Sequence, residues 1–237
     1  MRAKSLRDTR VSSSHLTGYH HSLRMIASLS TCSCNTTTPA PAPAPVRHAF
    51  TRRSLRPVNP LKELHDLAGL FPEPADAPLF LNARHVAREA TPEPYRTMLV
   101  HEHHMTISME SWHHCSVDVE VLESRFQDGL YLRKIRLLKS GTSRVVQFGY
   151  VRFNLELVTE PVRREILEER VPLGRILIQH NVFRHVELGA ILQFTAGPGL
   201  AHYLQMPAEA DTWGRLATIF CNGSPAIDLL EITAPLE

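Results

Sequence analysis

The sequence predicts an α+β fold on an antiparallel sheet. Two observations carry this. Period-2 stretches occur in pairs joined by short polar turns, as hairpins do, and the helix-like stretches cluster between those pairs instead of alternating with single strands as βαβ units require. No run of 18 apolar residues is present, so no helical membrane span is expected.

Residues 1–60 read as a disordered basic tail, rich in Ser, Thr, Arg and Pro, with PAPAPAP at 39–45 as a stiff spacer. The acid-poor, Arg/Ser-rich character also matches an organelle-targeting segment, and an unused upstream start, with Met25 as an internal alternative, is a third reading. Residues 1–62 carry ten Lys/Arg against the single acid Asp8, whereas residues 63–237 carry sixteen against twenty-three. A body with a net charge of −7 argues against nucleic acid as its main ligand, because phosphate neutralisation needs a basic surface. Cys32, Cys34, Cys115 and Cys221 form no C-x-x-C pair and no disulfide framework, which points to free thiols in a reducing, cytoplasmic setting.

The domain is expected over residues 61–237. Residues 61–70, LKELHDLAGL, have helical apolar spacing, and FPEPADAP after them is a proline-punctuated loop. Residues 82–91 suggest a short helix, and residues 97–109 and 115–122 suggest strands, with Val117, Val119 and Val121 on one face. Residues 130–138 and 144–157 form a predicted hairpin around Lys139-Ser140-Gly141-Thr142. The stretch 163–188 begins as a charged helix and breaks at Val171-Pro172. It then opens a short apolar helix through Pro172-Leu173-Gly174-Arg175, whose free N–H groups suit a carboxylate. Residues 189–211 read as irregular. Residues 213–221 and 226–234 close the chain as a hairpin around Asn222-Gly223-Ser224-Pro225.

Three groups of residues attract chemical attention. On a strand, His101 and His103 share a face with Met105, so they either contribute to a metal site lacking further ligands or are ordinary strand histidines; no metal is the reading adopted. Arg133 sits mid-strand between Leu132 and Lys134. It is either an inward guanidinium in need of a carboxylate or a surface arginine, possible partner Glu156 included. Asp228 and Glu231 lie in the last apolar strand, where an inward carboxylate can act as a general acid or base. There is no G-x-S-x-G, P-loop or G-x-G-x-x-G.

Taken in order, His104-Met105-Thr106, Tyr131-Leu132-Arg133, Gly149, Pro172-Leu173-Gly174-Arg175, Arg184, Trp213-Gly214-Arg215, Gly223-x-Pro225 and Glu231 with Pro235 resemble the chorismate pyruvate-lyase family over roughly residues 95–235. The resemblance implies about six antiparallel strands with flanking helices, a fold shared with the effector-binding (UTRA-like) domains of GntR-type regulators. It implies a cofactor-independent lyase that removes pyruvate from chorismate, or from a related cyclohexadienyl or aromatic-precursor acid, to leave 4-hydroxybenzoate. Arg133 would then hold the ring carboxylate, helped by backbone N–H groups at Met105 and Leu173, with Gly149 in the returning strand. Glu231 would act at the ether oxygen. The closing hairpin has one residue more between Pro225 and Glu231 than the family pattern, which makes Asp228 the alternative inward carboxylate unless a bulge restores Glu231; Glu231 is preferred because its spacing to Pro235 is kept. The alternative is a non-catalytic domain of the same fold that binds a small carboxylic acid.

Overall fold

The computed structural model describes residues 59–236, and the expected tail lies outside them except for Asn59 and Pro60. Those two residues start helix α1 (Pro60–Ala68): the Asn59 side chain accepts from the N–H groups of Leu61 (3.1 Å) and Lys62 (3.3 Å), and proline occupies the first turn, where its missing N–H is not needed. Strand β1 (Phe80–Val86) follows, then the short helices α2 (Tyr95–Leu99) and α3 (Met105–His113). Strands β2 (Val117–Gln127), β3 (Leu130–Lys139) and β4 (Val145–Phe153) run as a meander into helices α4 (Glu160–Leu167) and α5 (Leu173–Gln179). Strand β5 (Arg184–Ala196), helix α6 (Pro198–Leu204) and the hairpin β6 (Asp211–Cys221) and β7 (Ser224–Thr233) complete the domain.

All seven strands form one antiparallel sheet in the order β1-β5-β6-β7-β4-β3-β2. The α+β class therefore stands, with one strand more than the expected six. Two hairpins turn on residues with positive φ, Asp128-Gly129 and Asn222-Gly223, the backbone that a tight turn between right-twisted strands requires.

Both sheet faces are covered. Helices α1 and α6 bury Leu64, Leu67, Leu200 and Leu204 against Leu132, Phe148, Tyr150 and Leu230. On the opposite face, α2 and α3 pack Met98, Leu99, Met105 and Met109 against Ile135, Leu137, Leu188 and Trp213. Beside them α4 and α5 pack Val162, Ile166, Leu173, Ile176 and Leu177 against Tyr131, Val151, Ala217 and Leu229. Each such aliphatic side chain contributes roughly 1.5–3 kcal/mol by leaving water.

Three local expectations are corrected. Residues 97–109 are not a strand but the two helices α2 and α3, because Met105 and Met109 fall one helical turn apart and both are buried. Residues 82–91 are not a helix: β1 occupies Phe80–Val86 and pairs with β5, and only a single 3-10 turn, Arg88–Ala90, follows it. Residues 189–211 are not irregular, since β5 runs through Gly189 to Ala196 and α6 follows. Gly189 marks a bulge where Leu188 pairs with Ala217 but Ala190 pairs with Leu216. Among the described residues no helix is long and apolar enough to cross a membrane.

Candidate binding site

The sheet face under α3 and α5 is mostly apolar, yet four of its neighbouring positions are polar. Register places Arg215 opposite Glu231, Glu231 opposite Gly149, and Gly149 opposite Ile135, one row across β6, β7, β4 and β3. Arg133 projects from the same face two residues to one side of Ile135, and Gln147 two residues to the other side of Gly149. Above this row the N-terminal ends of α3 and α5 meet, enclosing a cavity lined by His104, Met105, Leu173, Gly174 and the sheet residues just named. Gly174 permits the approach: a Cβ there would lie 3.0 Å from His104 Cβ and 3.1 Å from Thr106 Oγ1. Gly149 has a similar role in the floor, where a Cβ would come within 2.6 Å of Leu230 O.

Arg133 is the electrostatic centre of the cavity. It is 1% exposed, and its Nε and Nη1 have no hydrogen-bond partner. Burial pulls the guanidinium below its ordinary pKa, while Tyr131 and Glu169 act in the opposite direction. Tyr131 donates its hydroxyl to Glu169 Oε1 at 2.6 Å, and burial followed by that hydrogen bond raises the phenol to about 12. Glu156, the alternative partner considered from the sequence, sits in the 3-10 turn Leu155–Leu157 beyond the end of β4, and Arg133 forms no ion pair with it.

Arg215 has the opposite fate. It is fully buried, with every nitrogen engaged: Nε donates to Glu231 Oε2 (2.7 Å), Nη1 to His101 Nδ1 and His101 O (both 3.1 Å), and Nη2 to His103 O (2.9 Å). The histidine-rich stretch is thus a loop folded around a buried arginine, which explains why its residues do not form a strand. His101 Nε2 lies 2.7 Å from Met98 O, and its ring stacks on His103 at 5.4 Å. His104 Nε2 accepts from Arg184 Nε at 2.9 Å. Burial first, then the neighbouring arginines, hold His101 and His104 down at about 4, so both rings are neutral at pH 7. Among the described residues no group of three or more His, Cys, Asp or Glu side chains is placed to hold a metal ion.

The carboxylate alternatives separate cleanly. Asp228 lies on the face of β7 opposite to that of Glu231, where Arg152 donates to it through Nη2 (2.7 Å) and Nε (3.1 Å) and Thr218 through its hydroxyl (3.1 Å). It is excluded from the cavity. Between Ile219 and Phe220 the β6–β7 register shifts, leaving Ala226 as the additional residue on β7; this bulge turns Glu231 inward. Met105, Gly149, Leu173, Arg133 and Glu231 all line one cavity. Gln147, Arg215 and His104 belong to it as well. Gln147 carried a readable signal, an amide in the otherwise apolar VVQFGYV.

No protein-family model matches the sequence, and no curated protein matches it either. Solved structures do. A possible transcriptional regulator, YydK of Bacillus subtilis, is similar at 13% identity and a TM-score of 0.38 over 53% of this chain, which spans 59% of YydK. The effector domain of PhnF from Mycobacterium smegmatis is similar at 9% identity and a TM-score of 0.42, over 56% of this chain and 88% of that one. A putative transcriptional regulator from Streptomyces coelicolor is similar at 16% identity and a TM-score of 0.37, over 49% of this chain and 85% of that one. The likeness is one of fold.

These neighbours are named as regulators or an effector domain; the expected chorismate lyase is not among them, and that expectation is withdrawn. Glu231, the residue expected to donate a proton, is tied to Arg215 in a buried ion pair. The cavity volume is about 40 Å³, enough for a few water molecules and less than the roughly 150 Å³ that a benzene ring occupies.

Proposed function

We propose that this domain binds a small carboxylic acid in the cavity and does not transform it. The observation behind this reading is Arg133, a buried cation on the cavity wall with two N–H-bearing nitrogens that lack an acceptor. Buried polar groups are almost always hydrogen-bonded, and a buried charge is almost always paired. An incoming carboxylate supplies both the missing acceptors and the missing charge. The uncapped starts of α3 and α5, with Met105 and Leu173 as their first residues, add favourable partial positive charge from the same side.

The apolar lining from Ile135, Val151, Leu173 and Leu229 favours an acid with a hydrophobic body, an aromatic or cyclohexadienyl carboxylate being one such class. Seating a ring requires the α3 and α5 ends to move apart, since the space between them now matches little more than the carboxylate.

Calorimetric titration of the full-length protein with benzoate and with benzamide tests the reading. The acid should bind and the uncharged amide should not, and Arg133→Met should weaken benzoate by on the order of 30-fold or more, the loss seen when one partner of a buried charge pair is removed. Equal affinity for acid and amide would exclude Arg133 as the anchor.

A further inference from the structure

A second hollow lies where α2, α3 and the histidine loop meet, and no strand residue lines it. This groove encloses about 620 Å³, far more than the sheet cavity, and the two share no wall residue. Met98, Ile107 and Trp112 give it apolar surface, while His101, His103 and Ser108 give it polar atoms. No Asp, Glu, Lys or Arg belongs to the wall. Thr97 on its rim gives its hydroxyl to Glu93 Oε2 at 2.8 Å, so that carboxylate is already engaged. A carboxylate or an ammonium in the groove would therefore lose water without meeting a permanent countercharge, which selects for an uncharged occupant.

Hydrogen-bond direction fixes the state of His101. Arg215 Nη1 and the His103 N–H both lie at its Nδ1, 3.1 and 3.2 Å away, and each can only donate, so Nδ1 is the acceptor. The ring proton sits on Nε2, which faces Met98 O at 2.7 Å and Ser108 Oγ at 2.9 Å. A Ser–His nucleophile pair is thereby excluded, because the imidazole keeps no lone pair to take the serine proton. Ser108 accepts from the ring and retains its own O–H. Its acceptor within the protein, His104 O at 3.5 Å, stands at the outer limit of a hydrogen bond, which leaves a donor for an occupant of the groove.

Size and shape narrow the occupant further. A benzene ring takes roughly 150 Å³, so one ring would fill about a quarter of the groove and a body of two or three rings suits it better. The stacked rings of His101 and His103, 5.4 Å apart, and the half-buried Trp112 offer flat faces to such a body. We propose that this groove is a second binding site, for an uncharged aromatic molecule of two or three rings whose oxygen acceptor takes the Ser108 hydroxyl. The proposal is independent of the reading of Arg133, which lies in the other cavity.

Titration of the full-length protein with 6-propionyl-2-dimethylaminonaphthalene tests it, since this uncharged two-ring ketone fluoresces more strongly and further to the blue in an apolar site. The signal should saturate, and 2-acetylnaphthalene should displace the dye while 2-naphthoate and benzoate do not. Ile107→Glu sets a charge on an exposed groove position and should weaken dye binding at least tenfold. Ser108→Ala removes the donor and should weaken it about threefold or more, the worth of one hydrogen bond, and it serves as the test if Ile107→Glu fails to fold. Arg133→Met should leave dye binding unchanged. A signal that does not saturate, displacement by 2-naphthoate as readily as by the ketone, or affinity untouched by both groove variants overturns the site. Loss of dye binding in Arg133→Met places the dye in the sheet cavity and also overturns it, whereas failure of benzoate to bind counts against the Arg133 reading alone.

Discussion

Arg133 and Arg215 show how two buried guanidinium groups on one sheet face come to differ in purpose. Arg215 is saturated by Glu231 and by the carbonyls of the histidine loop, so its role is to hold that loop to the sheet. Replacing Glu231 with Gln strips the charge from a well-buried pair and should destabilise the fold by about 3–5 kcal/mol in denaturant unfolding. Asp228→Asn, on the opposite face, should leave carboxylate affinity unchanged when titrated with benzoate. Arg133 differs in kind, because a buried charge without a full set of partners works against folding and persists where a ligand completes it. Alternation along YLRKIRLL put Arg133 on the face of Tyr131 and Ile135, and that much was legible in the sequence. Which face was inward was not, because Leu132 on the other side is equally buried and both faces of the sheet are covered.

At the scale of elements, the cavity exists because one helix start, at Gly174, and one strand, at Gly149, lack side chains where contact is closest. Gly149→Ala places a Cβ within 2.6 Å of a strand carbonyl that the ladder fixes. We expect a loss of about 1–3 kcal/mol by thermal or denaturant unfolding, the usual cost of overpacking. The hairpins were legible because turn chemistry is local: Asn222-Gly223 and the polar turn after Lys139 mark their own positions. The histidine stretch was misread for the converse reason. Its conformation is imposed by Arg215, more than a hundred residues away, and nothing in HEHHMTISM announces that partner. Residues 189–211 read as irregular although Gly189 lies at a bulge inside β5, where a glycine interrupts the strand pattern without ending the strand.

At the scale of the whole molecule, stability should depend on pH and, if the cavity binds an acid as proposed, on ligand. His101 and His104 stay neutral in the fold down to about pH 4, whereas unfolded imidazoles titrate near 6.5. Between those values the unfolded chain binds more protons, so stability should be full above pH 6.5 and decline as pH falls toward 4. His104→Gln should flatten part of that slope in a series of melting curves. Ligand linkage offers the sharper probe, since an acid that binds only the folded state raises the melting temperature. Thermal unfolding of wild type and Arg133→Met, each with and without millimolar benzoate, tests the central claim most directly. The wild type should melt higher with the acid, while Arg133→Met should melt higher than the wild type without it and show no response to it. A variant that melts lower than the wild type, or that still responds to benzoate, would show that Arg133 supports the fold and does not anchor a carboxylate.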